Sequence, residues 1–489
     1  MKRLRPLLRM LAALLLVMLT IVAVRTATWR PPLADAAPPP LADPIAIDAP
    51  RAALHLAEAI RIPTVSHRDP ADDDLAAWAH LHTWLQTTYP RLHAATTRDT
   101  VAGRTLIYTW TGADPRQPPI VLMAHQDVVP VPPGSEADWH HPPFAGAIID
   151  DVVWGRGALD DKGSLVAIME AAETLLARGF VPSRTIYFVF GHDEEVAGTG
   201  AEAAAAWFRA RDIRPEFVLD EGGLALTKNP VTGQPIAVIN IAEKGYATLE
   251  VSASAPGGHA SMPPATTAVH TLARAVDRLA TSPLPVSFDG PGADMVRILA
   301  SDAGWLMRAV VANTWLSAPL LTRRLAASPT SAAMFRTTLA PTMLAASPQD
   351  NVLAARATAT FNVRLHPRDT LDSVLAHATA VVGDLPVELR FVGRADAASP
   401  ISSTTSPAFR LLAALARAST DAPVASSISN GATDARHFAG LAADVYRFLP
   451  VLIDDAELAT LHGVDERISV ANLARAAGFY ARLLATAAG

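Results

Sequence analysis

The sequence predicts an α/β fold in two parts: a mostly parallel sheet domain, interrupted by an inserted α+β domain. Three observations predict it. Short, wholly apolar runs alternate with helical stretches in the first half of the chain. Each of those runs stops at a histidine or a carboxylate. Beyond Gly245 the runs change texture and alternate apolar with polar residues, as half-exposed antiparallel strands do.

The elements are taken in chain order. Pro119–Ala124 (PIVLMA) reads as a strand buried on both faces and ends at His125. Leu165–Arg178 reads as a helix. Thr185–Gly191 (TIYFVFG) ends just before His192-Asp193-Glu194-Glu195, and Phe217–Leu219 ends at Asp220. In parallel sheets functional side chains gather at the carboxyl ends of strands. Tyr246–Ala255, Thr358–Leu365 and Val387–Val392 read as half-exposed strands, with helices at Ala268–Ala280 and Thr370–Val382. The first domain is therefore expected over residues 49–244 and 395–489, the latter through helices Pro407–Thr420 and Val470–Thr486. The insert is expected over residues 245–394. Ser282–Ser347 is punctuated by proline and predicts irregular structure, although the Leu/Ala/Trp-rich part, Ile298–Leu325, reads as a packed helical element with an acyl pocket as the alternative.

The composition excludes several classes. Of 489 residues, 50% are hydrophobic and 18% charged, which supplies large cores and excludes a mainly disordered chain. A net charge of −6 with no long basic run argues against a nucleic-acid partner. With no cysteine, disulfides, zinc thiolates, iron–sulfur clusters and thiol nucleophiles are excluded. Any metal must sit on His, Asp and Glu.

Residues 1–28 carry Lys2, Arg3, Arg5 and Arg9 ahead of an apolar stretch, Met10–Val24. This is either a cleaved signal peptide, with Ala34-Asp35-Ala36-Ala37 as a candidate cleavage site, or an uncleaved membrane anchor. The basic flank predicts that the rest of the chain crosses the membrane, so the body is placed outside the cytoplasm. Residues 29–48, with Pro38-Pro39-Pro40, read as an extended tether.

Five clusters carry chemistry. His125-Gln126-Asp127 offers an imidazole with a carboxylate able to orient it. Alone, such a pair is more commonly a satisfied strand end. In Trp154–Ser164 (WGRGALDDKGS), two adjacent aspartates among three glycines need a cation or backbone donors nearby; helix capping would need only one of them. Asp193-Glu194-Glu195 follows a strand with no polar face, which makes a merely solvated turn less comfortable. Asp220-Glu221-Gly222-Gly223 and His462-Gly463-Val464-Asp465-Glu466 complete the set. Five clusters of His, Asp and Glu at strand or turn ends are far less expected by accident than any one of them.

In these motifs, MAHQDVVPV, WGRGALDDKGS, GHDEEVAGTGA, VLDEGG, GGHASMPP, GATDARHF and LHGVDERI, the chain resembles the dizinc peptidase family of carboxypeptidase S, the aminoacylases and the glutamate carboxypeptidases. The motifs stand in family order from about Ile60 to Leu484, nearest in wording to the carboxypeptidase S and N-acyl-amino-acid hydrolase branch. The resemblance implies two Zn²⁺ ions, with Co²⁺ or Mn²⁺ as chemically suitable substitutes. It implies that His125 binds one and His462 the other, that Asp160 bridges them, that Glu195 completes one site and Asp220 the other. Glu221, adjacent, takes that place in some relatives. It implies Asp127 as an orienting group, Glu194 as general base and His259 as the residue polarising the scissile carbonyl, supplied by the partner subunit in dimeric relatives. Arg436, Asn430 and Gly431, and more weakly Arg364, would receive a substrate carboxylate. Ala432 stands where relatives often carry a second glycine. The expected activity is hydrolysis of an amide beside a free carboxylate, in a peptide or an N-acyl amino acid, by an enzyme with a lid that serves dimerisation in the family. A tethered binding protein without catalysis is a remote third reading, since every ligand position is chemically intact.

Overall fold

The computed structural model describes residues 4–32, 38–196, 198–229 and 232–489, so the candidate cleavage site at 34–37 lies outside the described residues. Two compact units are present. The larger holds residues 35–241, 402–427 and 433–489, and the smaller holds Ala242–Ile401 with the N-terminal segment and Ile428–Ala432.

The chain opens with helix α1 (Leu4–Thr28), which belongs to the smaller unit. The larger unit begins with an extended stretch, within the residues read from the sequence as an extended tether. At Ala42 and Ala46 it is hydrogen-bonded to the body: Arg482 Nε donates to Ala42 O at 2.6 Å, Thr486 Oγ1 accepts Ala42 N–H at 3.0 Å, and Arg178 donates to Ala46 O at 3.3 Å. Helix α2 (Ala49–Ile60) follows, capped by Asp48 and buried through Ala53, Leu56, Ala57 and Ile60. Then come a hairpin, β1 (Thr97–Val101) and β2 (Thr105–Trp110), strand β3 (Ile120–His125), helix α3 (Lys162–Ala177), β4 (Ile186–Gly191), α4 (Thr199–Ala210), β5 (Phe217–Asp220) and β6 (Ile236–Glu243).

The insert is a separate α+β layer pair. Strands β7 (Gly245–Ser254), β8 (Thr338–Ala345), β9 (Arg356–Leu365) and β10 (Val387–Asp396) form an antiparallel sheet in the order β8-β9-β7-β10. Alternate residues of β7 and β9, such as Leu249, Val251, Phe361 and Val363, bury one face under helices α5 (Ala268–Thr281) and α10 (Leu371–Val382). The stretch read as irregular contains four helices, α6 (Gly290–Asp302), α7 (Gly304–Ala312), α8 (Thr314–Ala326) and α9 (Pro329–Phe335), and the whole of β8; α7 and α8 lie in the part, Ile298–Leu325, that reads as helical. Helix α1 packs on α7.

The larger unit resumes with α11 (Pro407–Thr420), β11 (Val424–Ser429), β12 (Asp444–Arg447) and α12 (Val470–Ala487), the last packed along α3. Its sheet has ten strands and runs β1-β2-β4-β3-β5-β12-β6, then two-residue strands at Ala225–Leu226 and Leu452–Ile453, with β11 paired to β6. The centre, β4-β3-β5-β12, is parallel and the hairpin edge antiparallel. Val121, Met123, Val189 and Val218 pack against Ala201, Ala205 and Phe208 of α4, leaving Ile120, Leu122 and Phe188 for the opposite face. Parallel register sets the ends of the strands level: His125 pairs with Gly191, and Leu122 with Leu219 just before Asp220.

Candidate metal centre

Three of the five clusters leave the sheet at that common edge. His125, the last residue of β3, is 1% exposed. Its Nδ1 faces Asp127, 3.0 Å from the backbone oxygen and 3.2 Å from Oδ1, which turns Nε2 toward the open end of the sheet. Asp127 is fully buried and also accepts Ser66 Oγ–H at 2.7 Å and the N–H groups of Glu194 and Glu195 at 3.2 and 3.1 Å. One carboxylate thus fixes the ring at the end of β3 and the loop after β4.

The second cluster enters through a glycine turn. Gly157 has φ +88°, and a Cβ there would meet Val128 Cγ1 at 2.7 Å, so the sharp approach requires glycine. It delivers Asp160 between two imidazoles: Oδ1 lies 2.8 Å from His125 Nε2 and Oδ2 3.0 Å from His462 Nε2. Asp161 stands at the N-cap position of α3, yet its side chain makes no capping hydrogen bond among the described residues. Asp161 is fully buried, its Oδ2 accepting the His125 N–H at 3.3 Å. Lys162, also buried, donates to Ala59 O at 2.9 Å and Ile62 O at 2.5 Å, holding the turn to the end of α2; burial brings it down to about 7.

His462 comes from the far end of the chain, with φ +57°, and its Nε2 also lies 3.2 Å from Glu195 Oε2. What places it is a buried ion pair. Arg156 NH1 donates to Glu466 Oε2 at 2.6 Å, and Arg156 NH2 to the carbonyls of His462 and Gly463 at 3.1 Å. Glu466 Oε1 accepts the N–H groups of Leu159 and Asp160 at 2.9 and 3.1 Å. Alongside, Arg467–Ser469 pairs with Val152–Trp154 in a three-stranded sheet. Arg156 and Glu466 both lie inside the sequence motifs, yet neither is marked by them as a pair. The signal that could have marked them is an Arg and a Glu confined to apolar, glycine-rich surroundings, where a charge needs a partner.

Ligand-type atoms of His125, Asp160 and Glu195 lie within 4.8 Å of one another, as do those of His125, Glu194 and Glu221. Burial, and then repulsion from neighbouring acids, raises the Glu194 and Glu221 carboxyls well above their usual range; burial also raises Glu195. Against that, hydrogen bonds from His125 and His462 hold Asp160 below the carboxylate range, and Asp160 and Glu195 pull His462 up to about 10. Glu195 Oε1 and Asp161 Oδ1 are buried without a hydrogen-bond partner among the described residues. So many carboxylates around two imidazoles, with an unpartnered oxygen among them, form a donor set of the hard and borderline kind that a divalent cation satisfies.

Asp220 and Glu221 divide differently from the expectation. Asp220, 2% exposed, spends both oxygens on backbone, accepting Glu221 N–H at 3.0 Å and Ala435 N–H at 2.8 Å. Glu221 Oε1 instead lies 4.0 Å from His125 Nε2 and joins the ligand group. The geometry therefore favours Glu221 over Asp220 as donor. The reason is local: Asp220 is still inside β5, and the chain turns only after it.

The remaining candidates scatter. Arg436 lies in the larger unit, where it donates to Thr433 O at 2.9 Å from a short turn, Asp434–Phe438. His259, Arg364, Asn430 and Gly431 belong to the smaller unit. His259 is exposed and its Nδ1 lies 3.1 Å from Ser261 N and 2.8 Å from Ser261 Oγ. Since the Ser261 N–H can only donate, Nδ1 is the acceptor and a neutral ring carries its proton on Nε2. Arg364 stacks over Tyr246 at 5.1 Å and donates to Asn362 Oδ1 at 3.3 Å; Asn430 and Gly431 are exposed.

A family model described as Peptidase family M20/M25/M40 matches residues 121–486. The probable carboxypeptidase S-like 2 of Dictyostelium discoideum is 37% identical over 444 residues, covering 88% of this chain and 84% of that protein. The human N-fatty-acyl-amino acid synthase/hydrolase PM20D1 is 35% identical over 423 residues, covering 84% and 83%. Carboxypeptidase S of Saccharomyces cerevisiae is 30% identical over 467 residues, covering 85% and 80%. Among solved structures, the M20 family metallo-carboxypeptidase Sso-CP2 of Sulfolobus solfataricus superposes with a TM-score of 0.64 over 89% of this chain and 98% of that one, at 17% identity, a likeness of fold. With a family match over three quarters of its length and two imidazoles held among buried carboxylates, this chain belongs to the peptidase family M20/M25/M40 and is a metallopeptidase of the carboxypeptidase S type.

Proposed function

We propose that the protein hydrolyses an amide bond next to a free carboxylate, releasing C-terminal amino acids from small peptides as a carboxypeptidase or dipeptidase. The observation that carries this is Asp160, with one oxygen on His125 and the other on His462, ringed by Glu194, Glu195 and Glu221. His125, Asp160 and Glu221 would hold one Zn²⁺; His462, Asp160 and Glu195 would hold a second. Bound there, the ions supply Lewis acidity and bring a water's pKa toward neutrality.

The chain's own residues do the rest. Glu194 needs no fixed role as a ligand, and as general base it takes the proton of the attacking water at a carboxylate oxygen and returns it to the leaving amine. Asp127 keeps Glu194 in place through its backbone N–H. His259 presents Nε2–H as a donor suited to an oxyanion, and Arg436 offers a guanidinium for the substrate carboxylate, with Asn430, Gly431 and Arg364 as further polar groups for that end. Orientation by these residues converts a bimolecular hydrolysis into an ordered one.

A second reading, an N-acyl-amino-acid amidohydrolase, has the same chemistry and is favoured by the likeness to proteins named N-fatty-acyl-amino acid synthase/hydrolase. The two readings divide on the acyl side alone. A mass-spectrometric hydrolysis panel with zinc supplied separates them, setting blocked dipeptides ending in Leu or Phe against N-acetyl and long-chain N-acyl amino acids. Preference for dipeptides supports the carboxypeptidase; preference for long-chain acyl amino acids replaces it with the second reading; inactivity on all of them overturns both.

Helix α1 includes Leu8–Thr28, 21 residues long and apolar enough to cross a membrane. Its basic flank supports the reading that the body lies outside the cytoplasm, held to the membrane if the helix is not cleaved. The outer edge of the insert sheet, β8, exposes Met343 and Leu344 and offers an edge for a second copy, which fits a homodimer.

A further inference from the structure

The smaller unit carries an exposed apolar surface on two consecutive helices. On α7, Trp305 is 61% and Leu306 73% exposed; on α8, Trp315, Leu316 and Leu320 are each at least half exposed. Scattered exposed leucines need no explanation, but two tryptophans and three leucines on consecutive short helices are a patch. The patch adjoins α1. Asn313, in the turn between α7 and α8, is 2% exposed and donates to Thr26 Oγ1 at 3.2 Å, while Arg25 donates to the Ala312 carbonyl at 3.3 Å. Thr26 is fully buried by this contact.

The depth of that contact decides what covers the patch. The apolar segment of α1 ends at Thr28, and its 21 residues span about 31 Å at 1.5 Å per residue, close to the ~30 Å of a bilayer core. Thr26 lies only about 3 Å from the outer end of that span. Asn313 therefore meets α1 at the boundary between hydrocarbon and headgroups, where tryptophan concentrates. Thr26, Asn313, Arg25 and the Ala312 carbonyl satisfy one another there, so no polar group is stranded against lipid. Arg323 and Arg324, exposed in the last turn of α8, can reach headgroup phosphates.

We propose that α7 and α8 form a monotopic platform that lies in the outer leaflet beside α1, with Trp305, Leu306, Trp315, Leu316 and Leu320 in the hydrocarbon boundary. This rests on the reading of α1 as an uncleaved anchor. The insert is then held on the membrane at two places.

The absence of native cysteine permits single spin labels in the full chain. Labels at Leu306→Cys and Leu316→Cys would be compared with Leu16→Cys in α1 and Val181→Cys on the larger unit, after reconstitution into vesicles of phosphatidylcholine and phosphatidylglycerol. Melts matching the unlabelled chain verify the fold. Labels at 306 and 316 should collide more with oxygen than with a nickel chelate, like that at 16, while the order reverses at 181. If 16 behaves as lipid-exposed but 306 and 316 match 181, the platform is in water and the inference fails while the anchor stands. If 16 itself matches 181, the anchor fails and the inference with it. If 306 and 316 are shielded from both probes and show spin–spin broadening, a second copy covers the face and the platform is refuted.

Discussion

Asp220 and Glu221 are neighbours with opposite employment. The first closes two backbone donors at the end of β5, and the second points its carboxylate at His125. Glu221→Ala should lower the bound metal per chain with little change in Tm of the metal-free protein. Asp220→Ala should instead lower that Tm, since each buried N–H left unpaired costs about 1–3 kcal/mol. Metal analysis beside calorimetry checks the pair, and the reverse pattern would return the ligand role to Asp220. Glu194→Gln should cut kcat by about 10²–10⁴-fold at unchanged metal content, measured on whichever substrate the panel selects. A variant that kept its turnover would remove Glu194 from the proton path. The residue types at this site were legible because each apolar strand ran straight into its acid or histidine. Which of two adjacent acids points inward was not, because that depends on where β5 ends, and a single residue reverses the direction of the side chain.

At the scale of elements, the insert sheet was readable from its alternation: β7, β9 and β10 and the helices α5 and α10 stand where the pattern places them. Strand β8 was hidden because it is an edge strand with Pro341 in it, exposed along most of its length, so it lacks an apolar face to alternate. Helices α7 and α8 fall in the stretch Ile298–Leu325 that reads as helical, whereas the first turns of α6, with Gly290 and Pro291, and the short α9, starting at Pro329, are hidden because proline and glycine break the period. Close to β9, His366 accepts the Arg368 N–H at 3.3 Å, and burial with the charges of Arg368 and Lys244 pushes it down to about 4. An unfolded histidine titrates near ~6.5, so between these values the folded chain binds fewer protons than the unfolded one. Its stabilising contribution is complete above about pH 6.5 and is lost as the pH falls toward 4. The Tm should drop across that window, and His366→Asn should flatten part of the drop; parallel curves for the two proteins would rule His366 out.

For the molecule as a whole, the acids around His125 are raised by their mutual burial, so removing cations should loosen the larger unit broadly. Chelation should lower its Tm and zinc should restore it, adding about 4 kcal/mol to the unfolding free energy at a free metal level 1,000 times Kd. A Tm indifferent to chelator would mean that the cluster is stable without ions. The division of the fold into a sheet domain and an insert was legible from texture alone. The long-range pairing was not, because no local pattern tells Arg156 that its partner is Glu466, 310 residues away. That ion pair has a consequence for biosynthesis. A growing chain carries His125, Asp160, Glu194 and Glu195 long before it carries His462, and the N–H groups of Leu159 and Asp160 lack their carboxylate acceptor until Glu466 arrives. On the proposed ligand roles an unfinished chain should therefore be inert, with hydrolytic power appearing only once translation has passed residue 466.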